Sequence, residues 1–408
     1  MGNRPGSFQE NIWTKNFSLM MVVAFLMGVA NNMFVGTLPL YVMHHGGDSS
    51  LSGIVMSVFT LSALCCRHFW GRMLDKEGRK KVLVIGGIIF TLISVVYNFA
   101  TTVVLIITIR LIHGIGYGAH STASGTIVSD VIPKSRLSEG IGYYGISSTL
   151  ATAVGPALGL YISENYSFAM LFNTICLLSI FSLIGSFFIN YEKTIENEVP
   201  SFDNAADTPA LGKMEVKAAK TGRFIEPSAV PASIVTMFVT ISMSGIFSFL
   251  SAFGMARGIS NIGMFFTVYA CAILAARLII GKLSRRMETT RLLLTAMLLA
   301  FLALIFLSFA PSLPFVLFSA VLYGFGMGII LPVMNSILIR QCPADKRGAA
   351  NATYYSAMDI GFTLGPVVFG VILEFTGFTM VYIASAITIL FSLLSYMSLV
   401  RVKLGEGS

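Results

Sequence analysis

Twelve runs of about twenty apolar residues dominate this sequence, and they restrict its fold more than any other feature. A helix needs about 20 residues to cross a hydrocarbon core of roughly 30 Å, so we expect each run to be a transmembrane helix. A transmembrane β-barrel is excluded because its strands alternate in polarity over about ten residues. The runs cover residues 17–43, 51–70, 82–100, 103–129, 138–161, 166–188, 230–255, 262–281, 292–310, 314–339, 348–372 and 378–400.

The composition agrees with a membrane protein and argues against a water-soluble enzyme. Of 408 residues, 55% are hydrophobic and 11% are charged, whereas a soluble domain carries about 25% charged residues. The sequence contains no glycine-rich nucleotide loop followed by lysine, no His-Glu-x-x-His motif and no serine-nucleophile motif. Its five cysteines have neither disulfide nor zinc spacing. We therefore expect no enzyme activity, no cofactor and no bound metal.

The basic residues predict the orientation. An even number of spans places both termini on one side, and 25 of the 27 Lys and Arg residues fall on that side. The exceptions are Arg110, inside a span, and Arg257, on the other side. Because cytoplasmic loops carry the excess of Lys and Arg, we expect a multi-pass protein of the cell (plasma or inner) membrane with both termini in the cytoplasm. The net charge of +8 comes from these short clusters and indicates no nucleic-acid partner.

Glycine and proline positions repeat at an offset of 210 residues. One polar stretch longer than a turn, 190–229, separates the two copies. We predict an N-terminal six-helix bundle in 1–189, a cytoplasmic linker in 190–229 and a C-terminal six-helix bundle in 230–408. Two such halves, with substrate handled between them near the bilayer midplane, are typical of transporters. The matching positions include Gly53 and Gly263, Gly71 and Gly281, Gly114 and Gly324, Gly116 and Gly326, Gly118 and Gly328, and Pro133 and Pro343.

Three motifs resemble the major facilitator superfamily. Residues 71–81 (GRMLDKEGRKK) are similar to its signature loop after the second span, and residues 110–116 (RLIHGIG) to the pattern of its fourth span. Residues 155–159 (GPALG) resemble an element of its 12-span drug:proton antiporter branch. The resemblance covers essentially the whole chain. It implies an all-α fold of twelve transmembrane helices in two pseudo-symmetric bundles, transport by alternating access and a functional monomer.

The loop after the second span is the predicted cytoplasmic gate. Gly71 lacks a side chain, so two helices can approach closely there, and Asp75 can accept hydrogen bonds from a neighbouring helix N-terminus. Arg79 and Asp130 can complete the charge cluster. Arg285 stands at the position matching Asp75 in the second half, so the gate must be asymmetric. The alternative is that the cluster only anchors the loop at the headgroups.

Two Gly-Pro pairs complete the predicted gating residues. Gly155-Pro156 lies in the fifth span and Gly365-Pro366 in the eleventh. Each pair removes a backbone donor and a side chain, which permits a bend or a close approach between helices.

Polar residues form a stripe on the fourth span, within an arc of roughly 80°. Such a stripe is costly in lipid unless it faces protein or water, so we expect it to line a central cavity, together with Asn31 and Asn32 of the first span. Arg110 can hold a substrate anion, neutralise an acid or bind helix carbonyls. Each histidine can instead be a neutral side chain that bonds to a nearby hydroxyl. The stripe consists of Arg110, His113, Tyr117, His120 and Ser124.

Asp359 is the carboxylate that lies nearest the middle of a predicted span, roughly 15 Å deep at about 1.5 Å per residue. Its repeat partner is Thr149. Because the protonation of a buried carboxyl group depends on its hydration and on nearby charges, we expect Asp359 to couple transport to protons as its distance from Arg110 changes. A structurally paired or permanently protonated acid is the alternative. Glu139, at the start of the fifth span, is a second candidate for coupling, or else part of the cytoplasmic rim.

Together these features predict a secondary active transporter that exports a small amphipathic or drug-like compound in exchange for protons. Proton-linked uptake of a small polar or anionic nutrient is one alternative, and a non-transporting membrane receptor or lipid-handling protein is another. The expected partners are a small-molecule substrate, protons and the lipid bilayer.

Overall fold

The computed structural model describes residues 11–133, 136–190, 226–342 and 347–401. Within these ranges the chain forms twelve long α-helices and no strand, which confirms the predicted all-α membrane fold. The predicted linker 190–229 lies mostly outside the described residues, so the division of the chain at this point stays a prediction. In chain order, α1 to α12 are Lys15–His44, Ser49–Glu77, Arg79–Val96, Val103–Val131, Leu137–Asn165, Phe168–Phe187, Val230–Ala256, Met264–Arg286, Thr289–Ser308, Leu313–Gln341, Arg347–Thr376 and Phe378–Ser395.

Eleven of the helices in the described ranges are long and apolar enough to cross a membrane. The remaining helix is α8, whose apolar part among the described residues is the shorter stretch Met264–Ile280. The longest helices have 30 residues, which corresponds to about 45 Å at 1.5 Å per residue. This length exceeds the hydrocarbon core, so the ends of these helices reach the headgroup layers.

Side-chain caps determine where several helices begin. Thr14, Asp48, Thr102 and Ser167 each accept a hydrogen bond from the backbone N–H three residues further along. These N–H groups have no partner within the helix, and a cap of this type stabilises a helix by about 1 kcal/mol. The caps therefore define the points at which the chain turns back into the bundle.

Successive helices run in opposite directions, so the bundle has two faces. We call the face at which α1 begins and α2 ends the basic face, after the Lys and Arg clusters predicted there, and the other the opposite face. Arg257, the basic residue predicted on the opposite face, donates hydrogen bonds to the carbonyls of Ala310 (2.9 Å) and Ser308 (3.0 Å) and to the Thr379 hydroxyl (3.1 Å). Arg257 therefore satisfies carbonyls at the end of α9, which gives this exception a structural reason.

The 210-residue repeat is visible in the helix packing. Gly114 of α4 lies against the backbone of Phe59 in α2, and an added Cβ would come within 3.0 Å of the Phe59 carbonyl oxygen. Gly324 of α10 has the same relation to Tyr269 in α8, and Phe59 and Tyr269 are themselves 210 positions apart. Glycines at these positions allow close helix contact, so the two sets of six helices share one packing pattern.

The first six helices meet the last six mainly through α2 with α11, α5 with α8 and α1 with α7. The hydroxyl oxygens of Thr60 and Thr363 are 2.9 Å apart, and Gly53 lies directly against the backbone of Pro366. Between α5 and α8, Gly263 packs on the backbone of α5. These contacts lie in the parts of the helices that lead to the opposite face. The two halves therefore touch each other on that side of the bundle.

Candidate functional site

A cavity of about 700 Å³ lies between the two halves. Helices α1, α2, α4 and α5 supply one wall, and α7, α8, α10 and α11 supply the other. Ligand pockets typically measure about 300–1,000 Å³, so the volume suits a small organic molecule. The lining extends to Ile141 in the second turn of α5 and to Tyr354 in the second turn of α11. Both helices begin at the basic face, and the cavity therefore extends towards that face.

The residues predicted to line the cavity occupy three different places. His120 and Ser124 line a smaller side pocket of about 70 Å³ that also touches Asn32 and Tyr117. His113 lines neither space. It is fully buried, with aromatic rings around it at centroid distances of 4.1–5.8 Å, because its side of α4 packs into the core of the first half. The predicted residues that line the large cavity are Asn31, Asn32, Arg110 and Tyr117.

Arg110 is a buried cation at the cavity wall, with 2% of its surface exposed. Its guanidinium carbon lies 3.9 Å from the ring centroid of Phe59 and 5.1 Å from that of Phe34, distances at which a cation is attracted to an aromatic face. One guanidinium nitrogen, Nη1, lies 3.3 Å from Nδ1 of His113. Because arginine stays protonated and can only donate, His113 accepts this hydrogen bond and its own proton lies on Nε2.

No carboxylate of the described residues lies within ion-pair distance of Arg110. The Nε–H group of Arg110 also has no hydrogen-bond partner within the described ranges. A buried charge is costly when it is unpaired. Arg110 can therefore attract an anionic group into the cavity.

The side pocket is polar and small. Tyr144 and Ser124 both line it, and the Ser124 hydroxyl and Nε2 of His120 are buried without a hydrogen-bond partner among the described side chains. A volume of about 70 Å³ suits a few water molecules, since one water needs at least about 10–15 Å³. The pocket adjoins the large cavity through Asn32 and Tyr117 but is too small for an organic substrate.

Asp359 forms an ion pair with Arg67, with 2.7 Å between Oδ2 and Nη1. Arg67 belongs to α2 and Asp359 to α11, so this pair joins the two halves. The Arg67 side chain is 36% exposed and that of Asp359 is 26% exposed. The expected interaction between Asp359 and Arg110 is not found. Arg110 lies about 10 Å from the opposite-face end of α4, whereas Asp359 lies about 25 Å from the opposite-face end of α11.

Arg67 and Arg277 are functional candidates that the motifs do not single out, because each stands at the start of a cluster of basic residues. They are 210 positions apart and therefore equivalent in the repeat. In α8, Nη1 of Arg277 lies 3.4 Å from the carbonyl oxygen of Gly145 in α5. Thr149, the equivalent of Asp359, donates its hydroxyl to the same carbonyl at 2.9 Å. The 210-residue offset was the signal that could have identified the two arginines.

The predicted gate lies only partly within the described residues. Nε of Arg79 lies 3.5 Å from Oδ2 of Asp130, but these residues belong to α3 and α4 of the same half, so their ion pair does not join the halves. Asp75 lies in α2, and its side chain is outside the described residues. No described heavy atom comes within 4 Å of a Cβ built on Gly71. Among the described residues no close approach at Gly71 is seen, and its role in gating stays a prediction.

The Gly-Pro pairs lie where helices of one half pack closely. A Cβ on Gly155 would come 2.5 Å from Cβ of Asn32 in α1. A Cβ on Gly365 would likewise clash with Ser244 in α7. The prolines that follow lie inside α5 and α11. The close approach expected at these positions is present, and a role in gating stays a prediction.

Glu139 lies in the first turn of α5, at the basic face. Its carboxylate receives two hydrogen bonds from Arg136, at 3.0 Å from Nε and 2.9 Å from Nη2. The Glu139 side chain is 44% exposed. An exposed ion pair of this kind contributes about 0–1 kcal/mol to stability, which fits a surface position and places Glu139 away from the cavity.

Metal-ligating residues are scattered in the described ranges. No group of three or more His, Cys, Asp or Glu side chains could hold a metal ion there. The cysteines are free thiols, and only Cys342 is buried. The cavity is therefore the strongest candidate for the functional site.

A family model described as "Major Facilitator Superfamily" matches residues 20–310 and 232–406, which together reach from α1 to the end of the described chain. The chain belongs to the Major Facilitator Superfamily. This facilitator is accordingly a multi-pass membrane transporter that handles small molecules, and not an enzyme. The family assigned from the three sequence motifs is thus confirmed.

This facilitator has one relative that is named as an export protein and another that is named as a multidrug resistance protein. It is 24% identical over 388 residues to the staphylopine export protein of Staphylococcus aureus, covering 93% of this chain and 95% of that one. It is 26% identical over 406 residues to the multidrug resistance protein MdtG of Salmonella typhi, covering 96% and 97%. A bacterial homologue of the lysosomal transporter Spinster, solved in an inward-facing conformation, has the same fold, with a TM-score of 0.74, 14% identity and coverage of 96% and 97%.

Proposed function

We propose that this facilitator exports a small amphipathic compound in exchange for protons, with its basic face and both termini in the cytoplasm. The observation that carries the proposal is the ion pair between Arg67 and Asp359, which joins the halves beside a cavity that extends to the basic face. The relative named as an export protein and the one named as a multidrug resistance protein support the outward direction. The Lys and Arg clusters support the orientation.

In this proposal the cavity first receives substrate from the cytoplasm. Contacts such as that between Thr60 and Thr363 hold the halves together towards the opposite face, so substrate cannot leave there. Rocking of the halves must separate these contacts before the cavity opens outwards. Alternating access of this kind needs two packing arrangements of rigid halves and no chemical step on the substrate.

Protons enter the cycle at Asp359. The carboxylate is paired with Arg67 while the opposite face is closed. When α2 moves away from α11, Arg67 leaves and Asp359 faces a cavity that is open to the outside. A carboxylate that loses a nearby cation in surroundings poor in water accepts a proton more readily. Return to the first conformation brings Arg67 back, which expels the proton into the cytoplasm and completes the exchange.

Tyr117 is close enough to Arg67 and Asp359 to interact electrostatically with both. Because Tyr117 also lines the large cavity, it provides a physical link between a bound substrate and the ion pair. Glu139 has no such link, since it is paired with Arg136 on the surface. We therefore assign proton coupling to Asp359 rather than to Glu139.

Transport in proteoliposomes tests the proposal. The purified full chain is reconstituted, a pH gradient is imposed, and the flux of a panel of amphipathic compounds is measured with and without the gradient. We expect uphill flux opposite to the proton gradient, and we expect Asp359→Asn to lose it while substrate binding persists. Glu139→Gln is the matched control and should keep gradient-driven flux.

Two results would contradict the proposal. One is an Asp359→Asn variant whose flux responds to the gradient as the wild type does, which would remove Asp359 from the coupling step. The other is uphill flux in the same direction as the protons, which would identify uptake and not export.

A further inference from the structure

The cavity carries an unbalanced positive charge. Arg110 and Arg277 both line it, and its described lining contains no Asp or Glu. Asp359 follows the lining residue Met358, but its charge is compensated by Arg67, whose Nη1 lies 2.7 Å from its Oδ2. A cleft lined by charge of one sign concentrates ligands of the opposite sign.

The charge of Arg277 is unbalanced because the repeat is broken at one position. Arg67 and Arg277 are equivalent, yet Arg67 pairs with Asp359, whereas Arg277 has Thr149 at the matching position of the repeat. Arg277 instead reaches the Gly145 carbonyl at 3.4 Å, which the Thr149 hydroxyl also contacts. A carbonyl oxygen carries no net charge, so the cation keeps its capacity to bind an anion.

Arg110 supplies a second cation at a different depth. It lies about 10 Å from the opposite-face ends of the helices, whereas Arg277 lies about 20 Å from them. Arg110 is therefore near the closed end of the cavity, and Arg277 is nearer to the basic face. Arg110 is only 2% exposed, and its Nε–H has no partner among the described groups. An anion that reached it would gain a charge-assisted hydrogen bond in surroundings poor in water.

The wall supplied by the second half is largely apolar and aromatic. It includes Met243, Phe247, Tyr269 and Phe362. Aromatic and methionine side chains bind apolar ligand groups without demanding one particular shape. The cavity thus combines two cations with a surface for an apolar group.

We propose that this cavity selects organic anions, namely small compounds that carry a carboxylate on an apolar, preferably aromatic, body. The proposal rests on the proposed function to the extent that the cavity is the transport site. It assigns the carboxylate to Arg110 and Arg277 and the apolar body to the second half. Neutral and cationic compounds of the same shape lack this pairing and bind more weakly.

Binding of three probes of similar shape tests the proposal. We would measure the dissociation constants of 2-naphthoate, 2-naphthamide and 2-naphthylmethylamine for the purified full chain, without any gradient. We expect 2-naphthoate to bind about tenfold or more tightly than the amide, since hydrogen bonds to charged groups are the stronger ones, and the amine to bind most weakly. Equal affinity for the three probes would overturn the proposal.

The repeat suggests a variant that tests the contribution of the Arg277 charge directly. Thr149→Asp places an acid beside Arg277 and so recreates the arrangement at Arg67, and we expect it to lower the preference for naphthoate over naphthamide about fivefold or more. Thr149→Asn has nearly the same size without the charge, so the difference between the two variants isolates the effect of charge. If Thr149→Asp does not fold, Arg277→Gln compared with Arg277→Lys makes the same test. A preference for naphthoate over naphthamide that stays unchanged when the charge of Arg277 is compensated or removed would overturn the proposal.

The two proposals can fail separately. Selective binding of naphthoate that depends on Arg277, together with gradient-independent flux in the wild type, would sustain the anion site and refute proton coupling. Gradient-driven flux of neutral or cationic compounds, with equal binding of the three probes, would sustain proton coupling and refute the anion site.

Discussion

Gly53 provides a way to push the transporter out of the conformation described above. It lies where α2 crosses α11, and a Cβ added to it would come within 3.0 Å of the Pro366 carbonyl oxygen and at 2.9 Å from the carbonyl carbon. Ordinary contacts of this type are 3.4–4 Å. The atom in the way belongs to the backbone and cannot rotate aside. In Gly53→Ala the two helices must therefore move apart by roughly 1 Å, which separates the halves at the opposite face.

The size of the effect follows from the cost of overpacking. Inserting a methyl group into a tight contact costs about 1–3 kcal/mol, and here the cost falls only on the conformation in which α2 and α11 touch. A difference of this size changes the ratio of two conformations about 5- to 150-fold. We expect Gly53→Ala to favour the conformation open at the opposite face by a factor in this range.

Thiol labelling from the opposite face measures this shift. Val35 lines the cavity and is 9% exposed, so Val35→Cys in a background without other cysteines should react slowly with an impermeant maleimide. We expect Gly53→Ala to raise the labelling rate, whereas Gly71→Ala, the same change on the same helix with no described atom near the new methyl group, should not raise it. A folded Gly53→Ala protein that labels at the wild-type rate would show that the contact of α2 with α11 does not control this equilibrium.

Two further predictions concern stability. Arg257→Ala should lower the free energy of unfolding by about 1.5–3 kcal/mol, because the carbonyls of Ser308 and Ala310 lose a charged donor. Thermal unfolding in detergent would show this as a lower midpoint. An unchanged midpoint would contradict the prediction. Gly114→Ala and Gly324→Ala should each lower the free energy of unfolding by about 1–3 kcal/mol. The two losses should add in the double variant, since the sites lie in separate halves. Strongly non-additive losses in the same assay would argue against independent halves.

Much of the fold follows directly from the sequence. Long apolar runs between charged loops can only be helices that span a membrane, and small residues at matching positions report which helices pack closely. The pair Gly114 and Gly324 illustrates this, because each contacts the position in the neighbouring helix that the offset of 210 predicts. The limits of the helices also agree with the apolar runs to within a few residues, apart from longer extensions such as that of α2 to Glu77.

The site was less predictable because it depends on pairs of helices that are distant in the sequence. Asp359 was identified from its depth, but its partner Arg67 looks like the first residue of a basic loop unless α2 is known to continue to Glu77. The sequence predicts a cavity position for His113 because this residue shares an arc of the helix with Arg110. An arc of roughly 80° is wide enough to include both the cavity wall and the aromatic core of the first half, and only the packing distinguishes them.

Alternating access requires the distance between the halves to change in opposite directions at the two faces. Spin labels at Tyr166 and Met255 report the separation of the halves at the opposite face, and labels at Lys76 and Arg340 report it at the basic face. In a lipid bilayer, lowering the pH should lengthen the first distance and shorten the second, because loss of the ion pair between Arg67 and Asp359 releases the halves. Two distances that stay fixed, or that lengthen together, would contradict the account.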